Sequence, residues 1–188
     1  LENFAQAFNL RAREAVIGFS NDTQQELALL YDPDALSARH DPKSSLDAPR
    51  FDQSLQIDLD VDERADDVVF SKPPLELALT TKAGSELRLI GAHLKSKAPH
   101  GARNRDEVMR ISIANRRKQL AQAVWLRRRI VDHLQNGESL IVAGDLNDGP
   151  GLDEYENLFG RSSVEIVLGE EGKDCLHDPH ARAALGRR

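Results

Sequence analysis

The chain has 188 residues, 40% of them hydrophobic and 30% charged, with a single cysteine and a formal net charge of −6. These are values of an ordinary globular domain large enough to bury a real core, and one domain over residues 1–188 is the expectation. An internal disulfide is excluded, no stretch is long and apolar enough for a membrane span, and the acidic balance argues against a protein that coats nucleic acid.

Residues 2–9 read as the end of an amphipathic helix, and an apolar strand is predicted near 26–31. Asp32-Pro33-Asp34 turns the chain, and 34–50, with Pro42, Pro49 and several charges, reads as loop. Residues 55–61 alternate strictly between apolar and polar, which predicts a half-exposed strand. Short and longer strands follow at 68–70 and 75–81, with Pro73 and Pro74 marking an edge or a bulge between them. Lys82-Ala83-Gly84-Ser85 predicts a hairpin from 75–81 into 86–92. The alternation then sets Leu87, Leu89, Gly91 and His93 on one face and Arg88, Ile90, Ala92 and Leu94 on the other.

A polar loop over 97–107 leads into the longest helix, 108–135, with an apolar stripe of Leu120, Ala123, Val124, Ile130, Val131 and Leu134. Asn136-Gly137 stops it, and Trp125 reads as a packing residue. Arg103, Arg105, Arg110, Arg116, Arg117, Lys118 and Arg127 to Arg129 gather mostly on this helix and read as a solvated charged face. An apolar strand at 140–143 follows, so helix feeding strand implies a layered α/β arrangement with sheets inside and helices outside. His177, Asp178 and His180 sit in a polar, turn-rich stretch and read as solvated loop, without the further Cys or His partners that a zinc site requires.

Two strand tips carry the chemistry. The strand at 140–143 ends in Gly144-Asp145-Leu146-Asn147-Asp148 and then a Gly149-Pro150-Gly151 turn. A carboxylate there suits a hard cation, and an Asn amide donates to a phosphate oxygen without adding negative charge. Taken alone, the stretch is equally a strand with a polar turn. The second tip is His93, followed by Lys95, Ser96 and Lys97, which offer charge and donors to a phosphate.

These motifs, in this order and separated by a long helix, resemble the endonuclease/exonuclease/phosphatase superfamily, the metal-dependent phosphoesterases that include deoxyribonuclease I. Gly144-Asp145-Leu146-Asn147-Asp148 is similar to the family's Gly-Asp-(Phe/Leu)-Asn motif. Ala92-His93-Leu94-Lys95-Ser96-Lys97 is similar to its Asn-His-Leu-Lys-Ser-Lys motif, with Ala92 where Asn is common. Val69-Phe70-Ser71-Lys72-Pro73-Pro74-Leu75 resembles a Phe-x-Arg-Pro-Pro-Leu segment, with Lys72 in place of Arg. The segment from Glu26 to Pro33 resembles the strand after the first helix, and that from Arg116 to Ala123 resembles the central helix.

The resemblance implies a deoxyribonuclease I-like four-layer α/β/β/α sandwich and a hydrolase of phosphoester bonds, nuclease or phosphatase/phosphodiesterase, dependent on Mg2+ or Mn2+. It implies that His93 hydrogen-bonds the phosphate or protonates the leaving group. Asp145 is expected to bind the metal or orient water, and Asn147 to orient the attacking water or hold a phosphate oxygen. Lys72, Lys95 and Lys97 are weaker phosphate contacts, and Asp148 is expected to cap the following turn. The family's Gln-Glu pair, its main metal-binding Glu and its Ser-Asp-His motif have no match here, since Gln25-Glu26 precedes a strand and Glu2-Asn3 fits the residues after the ligand. The expectation is therefore an internal fragment, incomplete at both ends and inactive alone. The alternative is a non-catalytic interaction domain on the same scaffold. Substrate class, nucleic acid or small molecule, stays open, as do localisation and oligomeric state.

Overall fold

The structure is a computed structural model that describes residues 1–58, 66–149, 160–172 and 174–186. It is a mixed α/β arrangement. A central sheet of four strands is ordered β3 (Leu36–His40), β6 (Leu75–Thr81), β7 (Glu86–His93) and β8 (Leu140–Asp145). The first three are antiparallel neighbours, whereas β8 lies parallel to β7. A parallel neighbour cannot be reached by a tight turn, and helix α2 (Arg105–Gln135) makes the crossover. Two-stranded sheets flank this centre, one of β1 (Glu14–Ile17) with β2 (Ala28–Tyr31), the other of β4 (Ser54–Ile57) with β5 (Asp66–Val69). Short helices α1 (Glu2–Ala7), α3 (Ser163–Leu168) and α4 (Pro179–Leu185) lie near the two ends of the chain. Among the described residues no helix is long and apolar enough to cross a membrane.

The hairpin, the long helix and the strand after it fall where the sequence puts them. Gly84, with φ of 84°, supplies the left-handed turn position between β6 and β7. Asn104 caps α2 by accepting the amide of Glu107 at 2.9 Å, so the helix begins three residues before the predicted start. Two predictions need correction, and one strand was not predicted. Residues 34–50 are not all loop, because 36–40 pair with β6 as β3. Residues 14–17, for which no element was predicted, form β1, whose backbone groups are satisfied by pairing with β2. His180 lies in α4 rather than in a loop, with Asp178 as the helix cap, although His177 and His180 are exposed as expected. Residues 59–61 of the predicted strand 55–61 lie outside the described residues.

The alternation in β7 divides the core in two. Ile90, Ala92 and Leu94 face α2 and join Trp125, Leu126, Ile130, Phe51 and Phe70 in the larger cluster. Leu87 and Leu89 face the other way, against Leu75, Leu77 and Leu79 of β6 and against Val16, Leu27 and Leu29 from the first hairpin and its approach. Trp125 is fully buried, its ring 5.1 Å from Phe70 and 5.8 Å from Phe51, and its indole N–H donates to the carbonyl of Pro49 at 3.0 Å. It is a packing residue, as its sequence position suggested.

The buried side of α2 is not a simple apolar stripe. Arg116, Gln119, Gln122, Arg129 and His133 are buried together with Leu120, Ala123 and Ile130. The solvated-face reading of the basic cluster is thus wrong for Arg116 and Arg129. Both recur at helical spacing with the apolar residues, so the helix turns them inward, and partners on other segments meet them. At the C-terminal end, His133 sits between two carboxylates, with Nε2 2.7 Å from Glu76 Oε1 and Nδ1 2.5 Å from Glu138 Oε2. Glu76 also accepts the amide of Lys43 at 3.0 Å and faces Arg129, while Glu138 accepts from Arg88, which pairs in turn with Asp41. Carboxylates on both ring nitrogens require both to carry protons, so the geometry selects the imidazolium.

Burial pushes the His133 pKa down, but the hydrogen bonds to Glu76 and Glu138 outweigh it and the net shift is upward from 6.5. A raised folded-state pKa contributes stability that is whole below the unfolded value and is lost as pH rises through the folded one. His133→Ala, followed by urea unfolding, should cost about 3 kcal/mol in mildly acidic buffer, because it takes the imidazolium from buried Glu76 and leaves it only Arg129 and the Lys43 amide. The gap between the two proteins should narrow as the buffer is made alkaline.

Candidate active site at two parallel strand tips

The parallel register of β7 with β8 runs from Arg88 opposite Leu140 to His93 opposite Asp145. Side-by-side residues share a face of a sheet, so the imidazole and the carboxylate emerge together at the C-terminal ends of neighbouring strands. The pairing continues one step further, as the amide of Leu94 donates to the carbonyl of Asp145 at 2.9 Å. Gly144 makes the approach possible. Its φ is 136°, and a Cβ there would lie 2.0 Å from the carbonyl oxygen of Ala92. Only the absence of a side chain lets the two tips close.

Asn147 completes the group. It adopts the left-handed conformation, with φ of 52°, which Asn tolerates better than most residues. Its backbone amide donates to Asp145 Oδ1 at 2.8 Å, and its side-chain amide donates to the carbonyl of Leu94 at 2.8 Å. The turn thereby folds back onto both strands and ties the β8 tip to the β7 tip. Lys72, from the bend before β6, brings its Nζ to 3.4 Å from His93 Nδ1. The structure therefore brings together His93, Asp145, Asn147 and Lys72, which come from three separate stretches of sequence.

The remaining candidates behave differently. The backbone amide of Lys95 donates to Gln122 Oε1 at 2.8 Å, and the residue is half-buried. Lys97 points its Nζ to Asp148 Oδ1 at 3.2 Å, so its charge is already answered by a carboxylate. Asp148 does accept the amide of Gly149 at 3.0 Å, the predicted turn cap, but that is the smaller part of its work. Its side chain is 1% exposed and forms a buried pair with Arg116 at 2.8 Å, and it also accepts the amide of Ser163 at 2.6 Å. Pro150 and Gly151 of the predicted turn lie outside the described residues. Of the decoys, Glu2 opens α1, and Gln25 and Glu26 precede β2 as the strand reading expects.

Sequence reasoning missed the row of polar side chains behind the tips. Gln119 and Gln122 on α2 are buried, and both ends of each side-chain amide are hydrogen-bonded. Gln119 Nε2 donates to the carbonyls of Leu146 at 2.9 Å and Asn147 at 2.8 Å, and its Oε1 accepts from Arg116. Gln122 accepts from Lys95 and donates to the carbonyl of Val69 at 2.9 Å. The signal was their register: Arg116, Gln119 and Leu120 share one helical face, so polar residues stand where core residues were expected.

The donors at the tips are hard. One oxygen of Asp145 is held by Asn147, and the carboxylate is otherwise exposed. Such a site suits magnesium, which binds through one or two carboxylates, keeps several waters and completes its shell with substrate phosphate. Among the described residues no group of three or more His, Cys, Asp or Glu side chains is poised to hold a metal. No protein-family model, curated protein or solved structure matches the chain significantly.

Two substitutions test the architecture. Gly144→Ala should lower stability by about 2 kcal/mol or more, since the added methyl meets backbone and the torsion is strained, and thermal unfolding would register the loss. Asp148→Ala removes a buried carboxylate from Arg116, from Lys97 and from the Ser163 amide. It should cost about 3 to 5 kcal/mol by urea denaturation, a larger effect than loss of a turn cap alone, which is about 1 kcal/mol.

Proposed function

We propose that the protein is a divalent-metal-dependent hydrolase of phosphoester bonds, built on a deoxyribonuclease I-like four-layer α/β/β/α sandwich. The motifs that resemble the endonuclease/exonuclease/phosphatase superfamily suggest it. The observation that carries it is the pairing of His93 with Asp145 across parallel strand tips, with Asn147 tied back to Leu94. In the sequence these residues are separated by the whole of α2, and an accidental His and an accidental Gly-Asp-x-Asn would have no reason to meet.

Phosphoester hydrolysis brings a nucleophile to an anionic centre, so charge must be neutralised and protons moved. A bound Mg2+ or Mn2+ would supply the neutralisation, polarising the phosphoryl oxygens. Asp145 offers it a carboxylate oxygen. Asn147, locked between the two tips, holds its carboxamide where the oxygen can orient a water or a hydroxyl-bearing substrate. His93 faces the same side and hydrogen-bonds a phosphoryl oxygen or gives a proton to the leaving oxygen. Lys72 and Lys95 add positive charge beside an acidic protein's reaction centre, where a local field matters more than net charge. Lys97, paired with Asp148, serves the structure of the turn instead.

The test is an assay of the complete gene product on DNA and on phosphomonoester and phosphodiester panels, with magnesium or manganese. Turnover should require the metal. Asp145→Ala should reduce kcat at least about a hundredfold while lowering stability by no more than about 1 kcal/mol, because the side chain is exposed and gives up a single hydrogen bond. A variant that retains most of its rate removes Asp145 from the mechanism.

A further inference from the structure

We propose that Gln119 is a positioning residue for this site, acting through Asn147; the assignment rests on the phosphoesterase reading given above. Gln119 lies on α2 and is fully buried, so its amide must find partners inside the protein. It finds them in the turn that follows β8. Both donor hydrogens go to consecutive carbonyls, of Leu146 and Asn147, at 2.9 and 2.8 Å. Those carbonyls flank the left-handed residue, and the two bonds fix the orientation of the peptide groups on either side of it. Asn147 held in that conformation directs its backbone amide to Asp145 Oδ1 and its side-chain amide to the Leu94 carbonyl. One side chain therefore sets the aim of both the carboxylate and the carboxamide.

The acceptor end of Gln119 has its own anchor. Its Oε1 takes a hydrogen bond from Arg116, and the same guanidinium nitrogen reaches Asp148. The amide plane cannot turn over without exchanging acceptor for donors at every contact, which would set like groups against each other. Gln122, one turn along the helix, holds a different part of the rim, bridging the Lys95 amide to the Val69 carbonyl. It has no bond to the Asn147 turn among the described residues, so it serves as an internal control.

Two substitutions of Gln119 separate positioning from packing. Gln119→Met keeps the volume and removes all the hydrogen bonds. Gln119→Glu keeps an acceptor for Arg116 and removes the donors to the two carbonyls; it carries the test if the first variant does not fold. The 13Cα and 13Cβ shifts of Asn147, read by NMR in the complete gene product, should leave the left-handed range in either variant and stay there in Gln122→Met. In the same protein kcat should fall about a hundredfold, as for a small misplacement of reacting groups, with KM little changed. Combined with Asn147→Ala, either Gln119 variant should be no slower than Asn147→Ala alone, whereas Gln122→Met should add its own factor. Unchanged Asn147 shifts overturn the proposal, as does a Gln119 loss that multiplies with that of Asn147→Ala. If the wild type hydrolyses no phosphoester, the phosphoesterase reading fails, and the Asn147 shifts alone then decide whether Gln119 positions the turn.

Discussion

A helix that turns arginine and glutamine inward has to find partners for them, and in this protein that requirement organises everything around α2. An unpaired buried donor costs on the order of a few kcal/mol, more for a charge. The partners are almost all backbone carbonyls or carboxylates on other segments. Arg129 collects the carbonyls of Lys43 and Ala48, Gln122 the carbonyl of Val69, Gln119 those of Leu146 and Asn147, and Arg116 the carboxylate of Asp148. The loops around Lys43, Ala48 and Asn147, and the end of β5, are thereby pinned to the helix at fixed points. The apolar contacts of Trp125, Leu126 and Ile130 supply the burial, while the polar ones dictate where each loop lies.

This division explains how the tips acquire their shape. The sheet alone would bring β7 and β8 to the same height, but it does not set the conformation of residues beyond the last ladder pair. That conformation comes from the rear, through the helix, and from the Gly144 contact that lets the backbones close. The polar groups facing solvent at the tips are thus backed by polar groups that see none. The Glu76, His133 and Glu138 cluster does the equivalent job at the other end of α2, where it ties β6 and the approach to β8 to the helix.

Much of this was readable in the sequence, and the rest was hidden for physical reasons. Two apolar-rich runs on either side of the Lys82-Ala83-Gly84-Ser85 turn made the β6–β7 hairpin plain, and the run 140–143 with its abrupt polar end marked β8. Strands β1 and β3 escaped because they are short and hold few large apolar residues; their neighbours, not their composition, make them strands. The buried arginines escaped because charge on a helix ordinarily means water, and the counter-groups lie tens of residues away. Asp148 was legible as a turn residue, while its pairing with Arg116 was not. The meeting of His93 with Asp145 was legible only through motif order, since no local pattern joins two strands across an intervening helix.

That last separation has a kinetic side. The bond from Asn147 to Leu94 spans 53 residues of chain, and β8 can reach its place only after α2 has crossed the sheet. Closing so long a loop is an entropic cost met before the contacts that reward it, and non-local parallel pairing is slow for that reason. The hairpin β6–β7 needs no such journey. A refolding chain would therefore display a nearly finished sheet while its two tips were still apart, and the last strand to dock would bring Asp145 and Asn147 to the waiting His93.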